Sequence, residues 1–201
     1  LVQMPDAPVE YYQEFMEDIS AEIDRENAII ADLLTMVKLD KTQAEMNIQA
    51  HSINEMLELI LKRLRPIAAK QNVEMVFESF REVTAEVDEV KLTLALTNFV
   101  ENAIKYNKEN GWVHVSLDAD HKFFYVKVID SGCGIPEEAQ EHIFERFYRV
   151  DKSHSREIGG TGLGLAIAKN VVLMHKGIIE ISSVIEEGTN ITVRIPLNYI
   201  V

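Results

Sequence analysis

Three short motifs, in a fixed order, constrain this chain more than any other feature of its sequence. They read NFVENAIKYN at 98–107, DSGCGIP at 130–136 and GGTGLGL at 159–165. The first predicts a helix with polar residues on one face. The second places an acidic residue at the end of an apolar strand, and the third leads a glycine-rich loop into an apolar helix. Because each motif supplies a different part of a nucleotide site, the three together predict one.

Each motif has a chemical reason and an ordinary alternative. The carboxamide of Asn102 offers Mg²⁺ a hard oxygen ligand, and Lys105 offers phosphates a point charge, although a solvated polar stripe would look the same. The carboxylate of Asp130 can accept a hydrogen bond from the exocyclic amine of a base, whereas the alternative is an ordinary Asp-Gly turn. Free N–H groups at the start of the helix after Gly162 form an anion site. The glycine spacing lacks the Rossmann fingerprint, and no Walker A Lys-Ser/Thr pair follows.

Composition narrows the class of protein. The net charge of −13 argues against non-specific binding to nucleic acid or to an anionic membrane. The single cysteine, Cys133, excludes an intrachain disulfide and fits a reducing compartment. The sequence has no run of 18 apolar residues that would span a membrane, so we expect this piece to be cytoplasmic. It starts at Leu1 without a signal-peptide pattern, and we expect an excised or processed fragment.

A long amphipathic helix is predicted ahead of the motifs, from about Glu10 to Leu39. Its apolar residues recur every three and four positions, as in a heptad repeat that is interrupted only by Glu26. They are Tyr12, Met16, Ile19, Ile23, Ile30, Leu33 and Val37. Phe15 and Leu34 widen this stripe, which favours a four-helix bundle over a two-stranded coil. The stripe predicts partner helices from outside this chain; the alternative is that the helix folds onto its own domain.

The rest of the chain predicts a mixture of helices and strands. Helices are expected over 52–69, 88–106 and 162–175, and strands at 45–50, 73–77, 83–87, 112–117, 123–129, 178–183 and 189–196. The last two strands form a closing hairpin. Mixed elements with antiparallel hairpins predict an α+β fold, a two-layer α/β sandwich, and not a parallel doubly wound sheet.

From about residue 40 to its end, the chain resembles the catalytic ATP-binding domain of sensor histidine kinases, within the superfamily shared with DNA gyrase and mismatch-repair ATPases. The three motifs match the N, G1 and G2 boxes of that family, and IFERFYRVDKS at 143–153 matches its F box. The long helix is similar to the second helix of the family's dimerisation and phosphotransfer bundle. The resemblance implies two units: a partial bundle at 1–40 and a catalytic domain of the histidine kinase/gyrase ATPase type at 41–201.

The resemblance also assigns roles to residues. The catalytic positions share the polar helix face and are Asn98, Asn102 and Lys105. The nucleotide contacts come from the loops and their surroundings and are Tyr106, Asp130, Gly132, Gly134, Arg149, Lys152, Gly160, Thr161, Gly162, Leu163, Gly164 and Thr189. Within these sets, Asn102 would bind Mg²⁺, Asp130 would read the adenine amine with support from Thr189, and Gly132 and Gly134 would pack under the ring. Residues 148–161 would form a lid over ATP.

The phosphoryl acceptor expected from this resemblance is missing from the sequence. The family's acceptor His lies on the preceding bundle helix, in a His-Glu/Asp-x-Arg/Lys-x-Pro motif, and none of the six histidines has that context. We therefore expect a catalytic domain that transfers the γ-phosphoryl of Mg-ATP to a His on a separate helix and does not autophosphorylate alone. Hydrolytic relatives carry a water-activating Glu where this chain has Asn98, which favours transfer over hydrolysis.

The implied partners are the acceptor helix of the same full-length protein, a second copy in a homodimer, and a response regulator receiver domain. No nucleic acid is expected as a partner, and membrane attachment would come only through segments not present here. Two alternatives stay open, a nucleotide-dependent regulatory or protein-interaction module and a hydrolytic ATPase of the same superfamily.

Overall fold

The computed structural model of the protein describes residues 9–41, 46–150 and 160–199. Lys152 and most of the predicted lid lie outside these residues. In chain order the elements are α1 (Val9–Lys41), β1 (Gln49–Ser52), α2 (Ile53–Lys70), β2 (Glu74–Ser79), β3 (Thr84–Val87), α3 (Glu89–Lys105), β4 (Trp112–Ala119), β5 (Phe123–Asp130), α4 (Glu137–Gln140), α5 (Gly164–Met174), β6 (Ile178–Val184) and β7 (Gly188–Pro196).

The main layer is a mixed five-stranded sheet in the order β2-β4-β5-β7-β6. Only the β2–β4 pair is parallel, and the other three pairs are antiparallel. A separate two-stranded sheet pairs β1 with β3. Alternate residues of the central strands are buried, as expected of a sheet with helices on one face. The predicted α+β two-layer sandwich is confirmed.

The helical layer owes its position to apolar stripes that face the sheet. In α3 the buried residues are Leu92, Ala95, Leu96, Phe99, Val100, Ala103 and Ile104. Asp88 caps the start of this helix, because its carboxylate accepts a hydrogen bond from the Lys91 backbone N–H at 3.1 Å. Burial of one face of α3 leaves the opposite face, with Asn98 and Asn102, at the surface of the domain.

Helix α1 has two different faces. The predicted heptad stripe is exposed, with Met16 at 63% and Ile30 at 55% of their maximum exposure. A second face, about 120° away around the helix, packs on the domain and ends in Met36 and Leu39, both 4% exposed. The helix therefore folds onto its own domain along one seam while the apolar stripe stays uncovered. None of the helices within the described residues is both long and apolar enough to cross a membrane.

A buried histidine joins the end of α5 to the start of α3. His175 is 1% exposed, and its Nε2 accepts a hydrogen bond from the Asp88 backbone N–H at 3.0 Å. Its Nδ1 lies 2.8 Å from the carbonyl oxygen of Val171. These partners select the neutral tautomer with the proton on Nδ1, and burial lowers the pKa of His175.

Replacing His175 by alanine is expected to lower the free energy of unfolding at pH 7.5 by about 2–3 kcal/mol, because the Asp88 N–H loses its buried acceptor and a cavity remains. Since the pKa of His175 is lower in the folded chain than in the unfolded one, its stabilisation is complete above pH 6.5 and is lost as the pH falls below that value. The difference between wild type and variant should therefore shrink at pH 5.5.

Urea unfolding at the two pH values measures this difference. The exposed His121 provides the control, since His121→Ala should change stability by less than about 0.5 kcal/mol. A wild-type-to-variant difference that is the same at pH 7.5 and pH 5.5 would contradict the assignment of the neutral tautomer.

Candidate functional site

The polar face of α3 lies against the glycine-rich loop that precedes α5. A Cβ atom added to Gly164 would lie 3.1 Å from the Asn98 side-chain oxygen, and one added to Gly160 would lie 2.6 Å from the Lys105 ammonium nitrogen. The structure thus brings together residues that are about 60 positions apart in sequence. The loop supplies the free N–H groups at the start of α5, and α3 supplies an amide and a cation, which is a suitable environment for phosphate.

Two contacts from the predicted F box hold this loop in place. The Arg149 guanidinium donates a hydrogen bond to the Gly160 carbonyl oxygen at 2.8 Å, and the Phe147 N–H donates one to the Gly162 carbonyl oxygen at 3.0 Å. Thr161 then closes the turn, because its hydroxyl oxygen accepts a hydrogen bond from the Leu163 N–H at 3.1 Å. The Leu163 side chain is fully buried, so only its backbone can face a ligand.

Two cations approach each other at this loop. The pKa of Lys105 is lowered by partial burial and by the positive charge of Arg149, while Glu101 opposes the shift. The Lys105 ammonium also lies 5.7 Å from the centre of the Tyr106 ring. Two cations at close quarters repel each other, and an anion placed between them removes that repulsion. The electrostatics therefore favour a phosphate group at this position.

The acidic residue of the second motif lies at the other end of the site. Asp130 ends β5, and its Oδ1 accepts hydrogen bonds from the Gly132 N–H at 2.8 Å and the Thr189 N–H at 3.3 Å. Burial nevertheless raises the pKa of Asp130 to about 6. The Oδ2 atom forms no hydrogen bond with another described residue, so one carboxylate oxygen can accept a hydrogen bond from a ligand.

The two glycines of the second motif are required by the protein itself. A Cβ on Gly132 would lie 2.3 Å from the Tyr106 carbonyl oxygen, and one on Gly134 would lie 2.0 Å from the Val184 carbonyl oxygen. Gly134 also has a φ of +70°, a conformation that other residues adopt at a cost. Packing against the end of α3 and the β6–β7 hairpin thus explains both glycines, and their contact with a base stays a prediction.

Helix α1 reaches this site through Asp32, a contact that the sequence does not predict. The Thr161 hydroxyl donates a hydrogen bond to the Asp32 carboxylate at 2.5 Å. Asp32 also helps to raise the pKa of Glu101, where partial burial is the larger cause and Lys105 opposes the rise. Two carboxylates thus border the loop on the side of α1. The sequence does not indicate that Asp32 faces the domain, because the residues on its side of the helix do not form a uniformly apolar stripe.

The donor set fits a magnesium ion held mainly by substrate. Within the described residues, no cluster of three or more His, Cys, Asp or Glu side chains could hold a metal. The Asn102 carboxamide forms no hydrogen bond with any of those residues, so its oxygen is available. A single neutral oxygen from the protein suits Mg²⁺, which keeps several waters and bridges phosphates.

Comparisons with known proteins agree with this geometry. A family model described as histidine kinase-, DNA gyrase B- and HSP90-like ATPase matches residues 87–199. The sensor histidine kinase WalK of Bacillus subtilis is 39% identical over 178 residues, which cover 87% of this chain and 29% of that protein. RppB of Synechocystis, another sensor histidine kinase, is 32% identical over 86% of this chain and 38% of its own length. The chain thus spans about a third of these curated relatives.

Solved structures share the fold. The catalytic domain of histidine kinase ThkA superposes with a TM-score of 0.68 at 29% identity, covering 76% of this chain and 97% of that domain. ThkA in complex with the response regulator TrrA superposes with a TM-score of 0.75 at 25% identity, covering 95% of this chain and 53% of that one. This second superposition includes most of α1, since it extends over nearly the whole chain.

Proposed function

Since this chain belongs to the histidine kinase-, DNA gyrase B- and HSP90-like ATPase family, we propose that it is the ATP-binding catalytic domain of a sensor histidine kinase. It transfers the γ-phosphoryl of Mg-ATP to a histidine on a helix outside this chain. The observation that carries the proposal is the approach of Asn98 and Lys105 on α3 to the glycine-rich loop at Gly160 and Gly164. Homology to sensor histidine kinases supports it.

In this proposal each part of the site has one task. The unbonded oxygen of Asp130 accepts a hydrogen bond from the adenine amine, and Lys105 and Arg149 neutralise phosphate charge. Asn102 supplies the protein ligand to Mg²⁺, which neutralises further phosphate charge when bound. The bond from the γ-phosphorus to the ADP oxygen breaks as a bond to an imidazole nitrogen forms, and ADP leaves. Catalysis then rests on positioning and charge neutralisation.

We propose two further units of a two-component system beside this domain, a helical bundle with the acceptor histidine and a receiver domain. The exposed apolar stripe of α1 would complete a bundle with the acceptor helix and with a second copy of the protein. The response regulator in the ThkA complex is a partner of ThkA, and by analogy a receiver domain would take the phosphoryl group from the acceptor histidine. The proposed unit at 1–40 is this partial bundle, and that at 41–201 is the catalytic domain.

A transfer assay tests the proposal against its alternatives. The chain is incubated with γ-labelled ATP and Mg²⁺, with and without a separate acceptor-helix domain from a sensor histidine kinase. The expected result is an acid-labile label on the acceptor histidine, with no label on this chain and no ADP release without acceptor. Release of ADP without acceptor would identify a hydrolytic ATPase. ATP binding without transfer to any acceptor tried would instead favour a regulatory module.

The contact of Asp32 with Thr161 leads to a prediction on affinity. Asp32→Asn should tighten Mg-ATP binding by about two- to fivefold at low salt, because it removes one negative charge beside the phosphate-binding loop. The gain should shrink in 0.5 M salt, where screening is stronger. Isothermal titration calorimetry measures both values.

Asp24→Asn is the matched control, since Asp24 is an exposed carboxylate on the same helix. It should leave the affinity within error of wild type. Weaker ATP binding by Asp32→Asn would show that its carboxylate orders the loop for the nucleotide and would overturn the repulsion argument.

A further inference from the structure

Beyond the residues predicted to touch the nucleotide, a polar network runs behind the Asp130 carboxylate. It begins at Gln140, the last residue of α4, whose amide nitrogen donates two hydrogen bonds. One goes to the Ile135 carbonyl oxygen at 3.0 Å and the other to the Ser183 carbonyl oxygen at 2.8 Å. Since both acceptors are carbonyl oxygens, the amide orientation is fixed. Gln140 thus ties the glycine turn after β5 to strand β6.

Ser183 continues the network towards the site. Its hydroxyl oxygen accepts a hydrogen bond from the Ile135 N–H at 2.8 Å and lies 2.8 Å from the Thr189 hydroxyl oxygen. It also donates to the Gly188 carbonyl oxygen at 2.9 Å. Both backbone groups of Ile135 are therefore held, one by Ser183 and the other by Gln140.

The network ends on the carboxylate of Asp130. Thr189 is paired with both Ser183 and Asp130 across neighbouring strands, and its N–H donates to the Asp130 Oδ1 atom. Among the described residues β6 is an edge strand of the sheet, so within them no further strand holds its outer side in register. Gln140 holds this outer side in place, since its amide donates a hydrogen bond to the Ser183 carbonyl oxygen of β6.

We propose that Gln140 and Ser183 are positioning residues for adenine recognition, which hold the turn at Ile135 and the β6–β7 hairpin at a fixed separation and so direct the free oxygen of Asp130 at the base. The inference rests on the proposed function, because it assumes that Asp130 reads adenine. Its consequence is specific to the base. Loss of the network misdirects Asp130 and leaves the phosphate contacts at Gly160 and Gly164 unchanged.

The test uses one matched set on β6. Ser183→Ala removes the hydroxyl, Ser183→Thr retains it, and Ser182→Ala changes the neighbouring exposed serine, which faces the other side of the strand. Gln140→Met gives an independent variant, since methionine has a similar length but no donor. Affinities for ADP and GDP are measured by calorimetry from pH 5 to pH 8, and thermal unfolding checks that each variant is folded.

We expect Ser183→Ala and Gln140→Met to weaken ADP binding about five- to tenfold and to change GDP binding by less than about twofold. Ser183→Thr and Ser182→Ala should bind ADP as wild type does. The Thr189 N–H also lowers the pKa of Asp130. The Ser183 hydroxyl pairs with the Thr189 hydroxyl, so its removal should weaken the Thr189 N–H contact with Asp130 and move the midpoint of the pH dependence of ADP binding upward in Ser183→Ala.

Two outcomes would overturn the inference while leaving the proposed function intact. One is wild-type affinity, selectivity and pH midpoint in Ser183→Ala and Gln140→Met. The other is a parallel loss of ADP and GDP affinity in both variants with an unchanged midpoint in Ser183→Ala, which indicates a purely structural role. Absence of ADP binding by the wild-type chain is a different result, since it removes the proposed function itself.

Discussion

Asn102→Ala is expected to abolish the magnesium-dependent part of ATP binding and to lower the affinity for Mg-ATP by about 100-fold. The reason is that a methyl group cannot replace the amide oxygen as a metal ligand, and no cluster of three carboxylate, imidazole or thiolate groups within the described residues could take over. Calorimetric titration of ATP in Mg²⁺ and in EDTA measures the effect. In EDTA, wild type and variant should bind ATP equally weakly.

A control for Asn102→Ala is available on α1. Asn27 is exposed, and Asn27→Ala should behave as wild type in both buffers. Asn102→Asp keeps an oxygen ligand and should recover part of the magnesium dependence. Tight Mg-ATP binding by Asn102→Ala would show that another residue holds the metal, and the assignment of Asn102 would then be wrong.

Asp130→Asn is expected to weaken nucleotide binding and at the same time to stabilise the folded chain. It should weaken ADP binding by about 10- to 100-fold, because a hydrogen bond to a charged acceptor is lost and an amide donor meets the adenine amine. It should also raise the melting temperature at pH 7.5. Burial raises the pKa of Asp130 from 3.8 to about 6, so ionisation of the carboxyl group lowers stability progressively as the pH rises between these two values, and the full cost is present above them.

The pH dependence of both effects checks the assignment. The stability gain of Asp130→Asn should be constant above about pH 6 and fade as the pH falls from there towards 3.8, as the wild-type carboxyl group becomes protonated. ADP binding by wild type should weaken about tenfold from pH 7 to pH 5, whereas binding by the variant should stay flat. A variant that is less stable than wild type at pH 7.5 would show that the carboxylate has a structural role.

The sequence predicted most elements of this fold because their signals are local, although the first strand, predicted at 45–50, is observed at Gln49–Ser52. The helix predicted over 88–106 is observed as Glu89–Lys105, since a capping residue and a regular apolar stripe mark its limits. The closing hairpin is also confirmed, at β6 and β7. Strand β4 extends to Ala119, two residues beyond the prediction. Asp118 is typical of a turn in sequence, but in the structure it pairs with Tyr125 of β5 and its side chain is exposed to solvent.

The contacts between distant elements were not predictable in the same way. Asp32 lies 129 residues from its partner Thr161, and nothing near either residue indicates the pair. The less exposed side of α1 combines Arg25, Ile29, Asp32, Met36 and Leu39. The apolar periodicity of the sequence indicates the exposed stripe instead, because the less exposed side contains two charged residues, Arg25 and Asp32. Similarly, Gln140 meets Ser183 only once the hairpin register is formed.

The two faces of α1 give the helix a mechanical property. It is a rigid rod of about 50 Å, exposed along one stripe and hydrogen-bonded to the glycine-rich loop on another. A rotation of about 30° around its axis would carry the Asp32 carboxylate through about 3 Å, more than the hydrogen bond to Thr161 can accommodate. A partner that binds the exposed stripe and rotates the helix therefore changes the surroundings of Thr161, although the partner itself does not contact the nucleotide site.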